Sequence, residues 1–271
     1  MGRGIAQVFA QHDWDTALID VSRPALDEAM SAIRANLDRQ VSKGALAAAA
    51  RDSALAHLVV DTRLDPAGAA DLVIEAATEN PEVKFSIFRE LDRIAPPAAL
   101  LASNTSAISI TAIAAQTRRA PRVIGMHFMN PVPLMPLVEV VRGLETAAET
   151  VQQTCEIAQA LGKTPVEVRD SPGFVANRVL MPMINEAVFC VIEGVAAPEA
   201  VDAVMRLGMN PPLGPLALAD LIGLDVCLAV LDVLHRDLGH DKYRPAPLLR
   251  TMVAAGRLGR KSGRGFYVYR D

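Results

Sequence analysis

Six short runs of β-branched and aliphatic residues punctuate the first 170 positions: TALID (16–20), ADLVIEA (70–76), ALLASN (99–104), RVIGMHFM (122–129), LVEVV (137–141) and TPVEVRD (164–170). Helical patterns lie between them, and strands that alternate with helices assemble as β/α units around a mostly parallel sheet. The clearest helical stretch, RPALDEAMSAIRANLDRQVSKG, repeats apolar residues at helical spacing and stops at Gly44. After DSPGF the alternation ends. From Val175 onward, long apolar helical runs are broken at MNPPLGP and YRPAPLL. The expectation is an α/β domain with a doubly wound, mostly parallel sheet over residues 1–170, followed by an all-helical domain over 171–271.

Composition narrows the function classes. With 271 residues, of which 51% are hydrophobic, the chain has enough apolar surface for two cores. The formal net charge of -4 comes from interspersed charges, so neither nucleic acid nor an anionic membrane finds a basic face. Cys155, Cys190 and Cys227 lie far apart in apolar contexts, which predicts buried free thiols in a reducing cytoplasm and no metal site. No basic n-region opens the chain, and no uninterrupted apolar run reaches the ~18 residues of a membrane span. Neither export nor membrane insertion is expected.

The opening, MGRGIAQVFAQ, reads as an amphipathic helix that starts on glycines. A dinucleotide fingerprint needs a strand, a G-x-G-x-x-G loop that opens a helix, and an acidic residue about 20 positions on for the ribose hydroxyls. Gly2 and Gly4 head the helix, and TALID ends in Asp20. Glycine matters at the helix head because the backbone amides there must come close to a pyrophosphate. Read alone, these residues are equally a chain start and a strand-end turn. The first strand and the leading glycines are absent from the sequence, so Met1 is expected to be an internal methionine with the natural start upstream.

ASNTSAISI, VIGMHFMNPVPLMPLVEVV and DSPGFVANRVL, in this order and spacing, closely resemble the L-3-hydroxyacyl-CoA dehydrogenase family, particularly its short, single-function members acting on 3-hydroxybutyryl-CoA. LVIEAATENPEVKFSIF, NPPLGPLALADLIGLD and GRKSGRGFYVYR extend the resemblance over nearly the whole chain. It implies a Rossmann-like NAD-binding domain followed by a helical domain for substrate binding and dimerisation. The implied reaction oxidises a (3S)-3-hydroxyacyl-CoA to the 3-oxoacyl-CoA with NAD, as in fatty acid β-oxidation.

Oxidising a secondary alcohol requires a base for the hydroxyl proton while a hydride leaves the carbon, and histidine has a suitable pKa. His127 closes a strand-like run, and Glu139, inside apolar LVEVV, needs a partner because an unpaired buried carboxylate is costly. The resemblance implies that Glu139 orients His127. It carries Ser103 and Asn177 to the substrate oxygen, with Asn177 reaching over from the second domain. Ser103 is alternatively a helix N-cap, a job that Thr105 or Ser106 performs equally well.

For the cofactor, the resemblance implies Gly2 at the pyrophosphate, Asp20 at the adenosine ribose, and Glu79 and Lys84 at the nicotinamide-side ribose. It places Ser103 and Asn130 at the nicotinamide and Lys261 at the cofactor's edge; a solvated surface position is the plainer reading for Lys84 and Lys261. Asp20 favours NAD over NADP, because a carboxylate repels the extra phosphate. Lys43 and Ser103 are assigned to the acyl-CoA side, Lys43 pairing with CoA phosphates, and Asn36 replaces a nearby family serine. The partners expected are an acyl-CoA and a second copy of the chain, joined through the helical domain. Two rivals are a dehydrogenase of free 3-hydroxy acids, which would want a lysine where SPGFVANRVL offers Asn177, and a non-catalytic relative.

Overall fold

The computed structural model describes residues 1–269; Arg270 and Asp271, the end of the expected helical domain, lie outside the described residues. The chain divides into two compact units, Met1–Asp170 and Ser171–Asp271.

The first unit runs α1 (Gly2–Gln11), β1 (Thr16–Ile19), α2 (Arg23–Ser42), α3 (Ala48–Ala56), β2 (Leu58–Asp61), β3 (Leu72–Glu75), α4 (Pro81–Ile94), β4 (Leu100–Ser103), α5 (Ile110–Ala114), β5 (Val123–Phe128), β6 (Leu137–Arg142), α6 (Ala148–Ala160) and β7 (Thr164–Arg169). Each of the six expected strands is present. β2 and α3 are additions that the sequence pattern did not separate from the preceding helix. α2 ends as expected: Lys43 is its C-cap and Gly44 follows at φ 69, a left-handed turn that glycine adopts without strain.

The strands form two sheets among the described residues. β1 pairs with β2 in parallel, and β3, β4, β5, β6 and β7 form a second sheet in that order, parallel except for the antiparallel β5–β6 step. α1 bridges the two. Ile5, Val8 and Phe9 pack with Met126, Phe128, Val138 and Val140 of the larger sheet and with Val151 and Leu161. Ala6 and Ala10, on the other side of α1, pack against Ile33, Leu37, Ala54 and Leu58. A Cβ on Gly4 would lie 3.1 Å from Val132 Cβ, so a larger residue there fits only if Val132 gives way.

The second unit contains α7 (Ala176–Ile192), α8 (Pro198–Met209), α9 (Pro215–Ile222), α10 (Leu224–Leu238) and α11 (Pro247–Ala254). Its core draws Met181, Ile184 and Val188 of α7, Leu216 of α9, Leu231 and Leu234 of α10 and Leu249 of α11. Two buried carboxylates tie its ends. Asp202 accepts from Leu216 N at 2.8 Å and Tyr267 Oη at 2.8 Å, and Asp220 accepts from Phe266 N, Tyr267 N and Tyr269 Oη, each at 3.0 Å. No helix among the described residues is long and apolar enough to cross a membrane.

Candidate active site

In the antiparallel register, His127 of β5 stands directly opposite Glu139 of β6. Opposed residues hold their Cβ atoms about 5 Å apart, and here the side chains meet: His127 Nδ1 is 2.8 Å from Glu139 Oε2, with both residues buried. An ionised carboxylate only accepts, so the neutral imidazole carries its proton on Nδ1 and leaves the Nε2 lone pair available. Ser106 Oγ lies 3.1 Å from Nε2 and donates to it. The result is a chain of buried carboxylate, buried imidazole and half-buried hydroxyl.

Ser106 sits in the turn after β4, and that turn is held from two directions. Glu79 Oε1 accepts from Thr105 Oγ1 at 2.5 Å, Ser106 N at 2.9 Å and Ala107 N at 3.0 Å. Asn104 stitches the same segment to the neighbouring strands: its Oδ1 accepts from Phe128 N at 2.9 Å, and its N donates to Glu75 O at 2.7 Å.

Three of the expected residues have partners within the protein. Ser103, fully buried as the last residue of β4, donates to Glu75 Oε2 at 2.7 Å and accepts from Thr105 N at 3.2 Å. The serine beside the imidazole is Ser106, and the N-cap of α5 is Ser109, whose side chain accepts from Ala112 N. Lys84 is not a surface cation: it is 1% exposed, with Nζ 2.8 Å and 3.0 Å from the two Glu75 oxygens and 3.3 Å from Glu79 Oε2. Its donors are occupied by protein carboxylates. Lys261, in the second unit, is exposed and bonded at 2.7 Å to Asp225 in the first turn of α10.

The remaining residues lie as follows. Gly2 begins α1, and a Cβ built on it would find only Ala76 and Leu18, each at 3.8 Å. Packing therefore does not require glycine at this position. Asp20 follows β1, exposed, with Oδ1 accepting from Ser22 N at 2.9 Å. Arg23, the nearby cation that an extra phosphate would want, is 3.0 Å from Asp27 instead. Gly2 thus lies beside Leu18 of β1 and Ala76 after β3, near the carboxyl ends of parallel strands, where α/β folds bind nucleotides. Asn130 is exposed beyond β5 and joined to Pro131 by a cis peptide. Lys43 is exposed at the end of α2. Asn36 belongs to a closed amide ring: its Oδ1 accepts from Gln7 at 3.0 Å and Gln40 at 2.8 Å, and Gln11 joins Gln7 to Gln40.

In the second unit, a tight turn leads into α7, with Gly173 at φ 72 and buried Phe174 at φ 49. A Cβ on Gly173 would lie 2.8 Å from Leu234 Cδ2, so both space and conformation require glycine. Asn177 follows in the first turn of α7, half-buried, its N donating to Gly173 O.

Sequence reasoning missed Ser106 and Glu75. The signals were present. Lys84, Phe88 and Leu91 share one helical stripe and are all fully buried, which already marks the lysine as internal. Glu75, within apolar LVIEA, calls for a partner by the same logic that singled out Glu139.

Comparison with known proteins identifies the family. The family model described as 3-hydroxyacyl-CoA dehydrogenase, NAD binding domain, matches residues 1–171, and the 3-hydroxyacyl-CoA dehydrogenase C-terminal domain matches 173–269. A probable 3-hydroxybutyryl-CoA dehydrogenase of Bacillus subtilis is 54% identical over 271 residues, covering 100% of this chain and 94% of the relative. The 3-hydroxybutyryl-CoA dehydrogenase of Bradyrhizobium diazoefficiens is 51% identical, covering 100% and 92%. The crystal structure of (S)-3-hydroxybutyryl-CoA dehydrogenase PaaH1 from Ralstonia eutropha superposes with a TM-score of 0.96 at 50% identity, covering 100% of this chain and 96% of that one. The matched N-terminal domain makes NAD the cofactor. With imidazole, carboxylate and hydroxyl aligned at the strand ends of such a domain, the chain is an oxidoreductase of the 3-hydroxyacyl-CoA dehydrogenase family.

Proposed function

We propose that the chain interconverts a short-chain (3S)-3-hydroxyacyl-CoA, of the 3-hydroxybutyryl-CoA type, and its 3-oxoacyl-CoA in acyl-CoA catabolism, with His127 as general base. The observation that carries this reading is the cross-strand His127–Glu139 pair with Ser106 Oγ at Nε2; the relatives' names support the substrate class. NAD, when bound, supplies the hydride acceptor. In alcohol oxidation His127 Nε2 takes the hydroxyl proton, while Nδ1–H stays on Glu139, whose charge stabilises the imidazolium. In the reverse direction the same nitrogen returns the proton.

Ser106 replaces Ser103 in this reading as the hydroxyl donor to the reacting oxygen, its proton turning from Nε2 to that oxygen when substrate binds. Asn177 is assigned by family resemblance as a second donor, and Lys43 as a phosphate partner for CoA. Gly2 and Asp20 hold the adenosine side of NAD, and Glu79 and Asn130 the nicotinamide side.

His127→Gln is expected to lower kcat by about 10²–10⁴ while leaving the melting temperature unchanged. Near-normal turnover would remove His127 from the mechanism. Exposed Val204, Leu207 and Met209 on α8 support a homodimer through the helical unit, which sedimentation measures directly. The separated free cysteines fit a cytoplasmic location.

A further inference from the structure

A second set of charges lies behind the His127 chain. Glu75, at the end of β3, is buried and uses both carboxylate oxygens: Oε1 accepts from Lys84 Nζ at 2.8 Å and Ala77 N at 2.6 Å, and Oε2 accepts from Ser103 Oγ at 2.7 Å and Lys84 Nζ at 3.0 Å. Two routes lead from it to the serine turn. Through Ser103, whose oxygen accepts from Thr105 N at 3.2 Å, Glu75 fixes the near end of the turn. Through Lys84, 3.3 Å from Glu79 Oε2, it fixes the carboxylate whose other oxygen gathers Thr105 Oγ1, Ser106 N and Ala107 N. The buried Glu75 carboxylate and the more exposed Glu79 carboxylate would repel without the lysine between them, and a lysine this deep would be costly without a carboxylate partner. The three charges therefore form a unit that specifies where the Ser106 backbone lies.

We propose that Glu75 is a positioning residue for Ser106, acting through Ser103 and the Lys84–Glu79 pair to aim the serine hydroxyl at His127 Nε2. This rests on the proposed role of the Ser106–His127 pair in hydroxyacyl-CoA oxidation. The reaction needs hydroxyl and imidazole on one reacting oxygen, so a small rotation of the turn costs turnover with no change in the groups that contact substrate.

The test is a double-substitution cycle of Glu75→Gln and Ser106→Ala in the full chain. It is read by saturating turnover of acetoacetyl-CoA with NADH and, on the ligand-free protein, by the imidazole nitrogen resonances of His127. Glu75→Gln is expected to lower kcat about tenfold, to displace the His127 resonances in the same sense as Ser106→Ala, and to change kcat by less than about twofold once Ser106 is gone. Losses that multiply in the double variant, or His127 resonances unmoved by Glu75→Gln, would overturn the proposal. Should Glu75→Gln fold poorly, Ser103→Ala cuts the same link from its other end and carries the same expectations. If the unsubstituted chain does not turn over acetoacetyl-CoA, the functional reading fails, and the His127 resonances still decide for or against Glu75.

Discussion

Replacing Glu139 by glutamine keeps the shape of the side chain and removes its charge, which isolates the electrostatic part of the His127 pair. The two groups are 2.8 Å apart and both are buried, so solvent screens them little. With charge centres about 4 Å apart and an effective dielectric near 20, the carboxylate stabilises an imidazolium by roughly 4 kcal/mol. An amide oxygen that still accepts from Nδ1–H retains about 1 kcal/mol of that. The remaining difference of about 3 kcal/mol applies only after His127 has taken the proton, so it falls on kcat rather than on substrate affinity. At about 1.4 kcal/mol per decade, Glu139→Gln should lower kcat roughly a hundredfold. The assay is NADH formation from NAD and 3-hydroxybutyryl-CoA, both saturating, with thermal unfolding as the control for folding. A kcat within about threefold of the parent, at an unchanged melting temperature, would refute the argument.

Other perturbations separate packing from binding. A methyl group at Gly265 would lie 1.9 Å from Asp220 Oδ1, so Gly265→Ala should cost about 3 kcal/mol in urea unfolding; an unchanged midpoint would contradict the Asp220 clamp. Gly2→Ala meets only ordinary contacts at 3.8 Å and should leave stability level or slightly raised, yet weaken NADH binding about tenfold or more in a fluorescence titration if the pyrophosphate approaches there. Burial pushes the Asp92 carboxyl up, but bonds from Arg118 and Arg119 outweigh it and hold the group below the ordinary carboxylate range. Such a group stabilises the fold above the unfolded-state carboxylate pKa and loses that contribution as pH falls through its folded value. Asp92→Asn should therefore cost about 2 kcal/mol near neutral pH, and the gap should close on acidification; a gap independent of pH would contradict this.

The sheet was legible in the sequence because strands buried on both faces leave uninterrupted apolar runs; all six residues of β5 are buried. β2 escaped because it is a four-residue edge piece whose Val59 is exposed, so LVVD lacks the pattern of a core strand. His127 and Glu139 were legible as polar residues in apolar runs, and their opposed register follows from the antiparallel pairing of those runs. SNTS, by contrast, holds two serines three positions apart. Which one is sealed under the strand end and which turns toward the histidine depends on Glu75, Lys84 and Glu79, which reach the turn from β3, the loop after it and α4. Lys84 illustrates the same limit: residue type suggests the surface, and only the stripe it shares with Phe88 and Leu91 indicates otherwise.

The central claim is that this site moves a proton at a 3-hydroxyacyl-CoA while NAD takes the hydride. The most direct measurement is absorbance at the NADH band after addition of acetoacetyl-CoA, with free acetoacetate in a parallel cuvette. The account predicts saturable NADH loss with the thioester and none with the free acid. NADH loss with acetoacetate, or none with either, would contradict it.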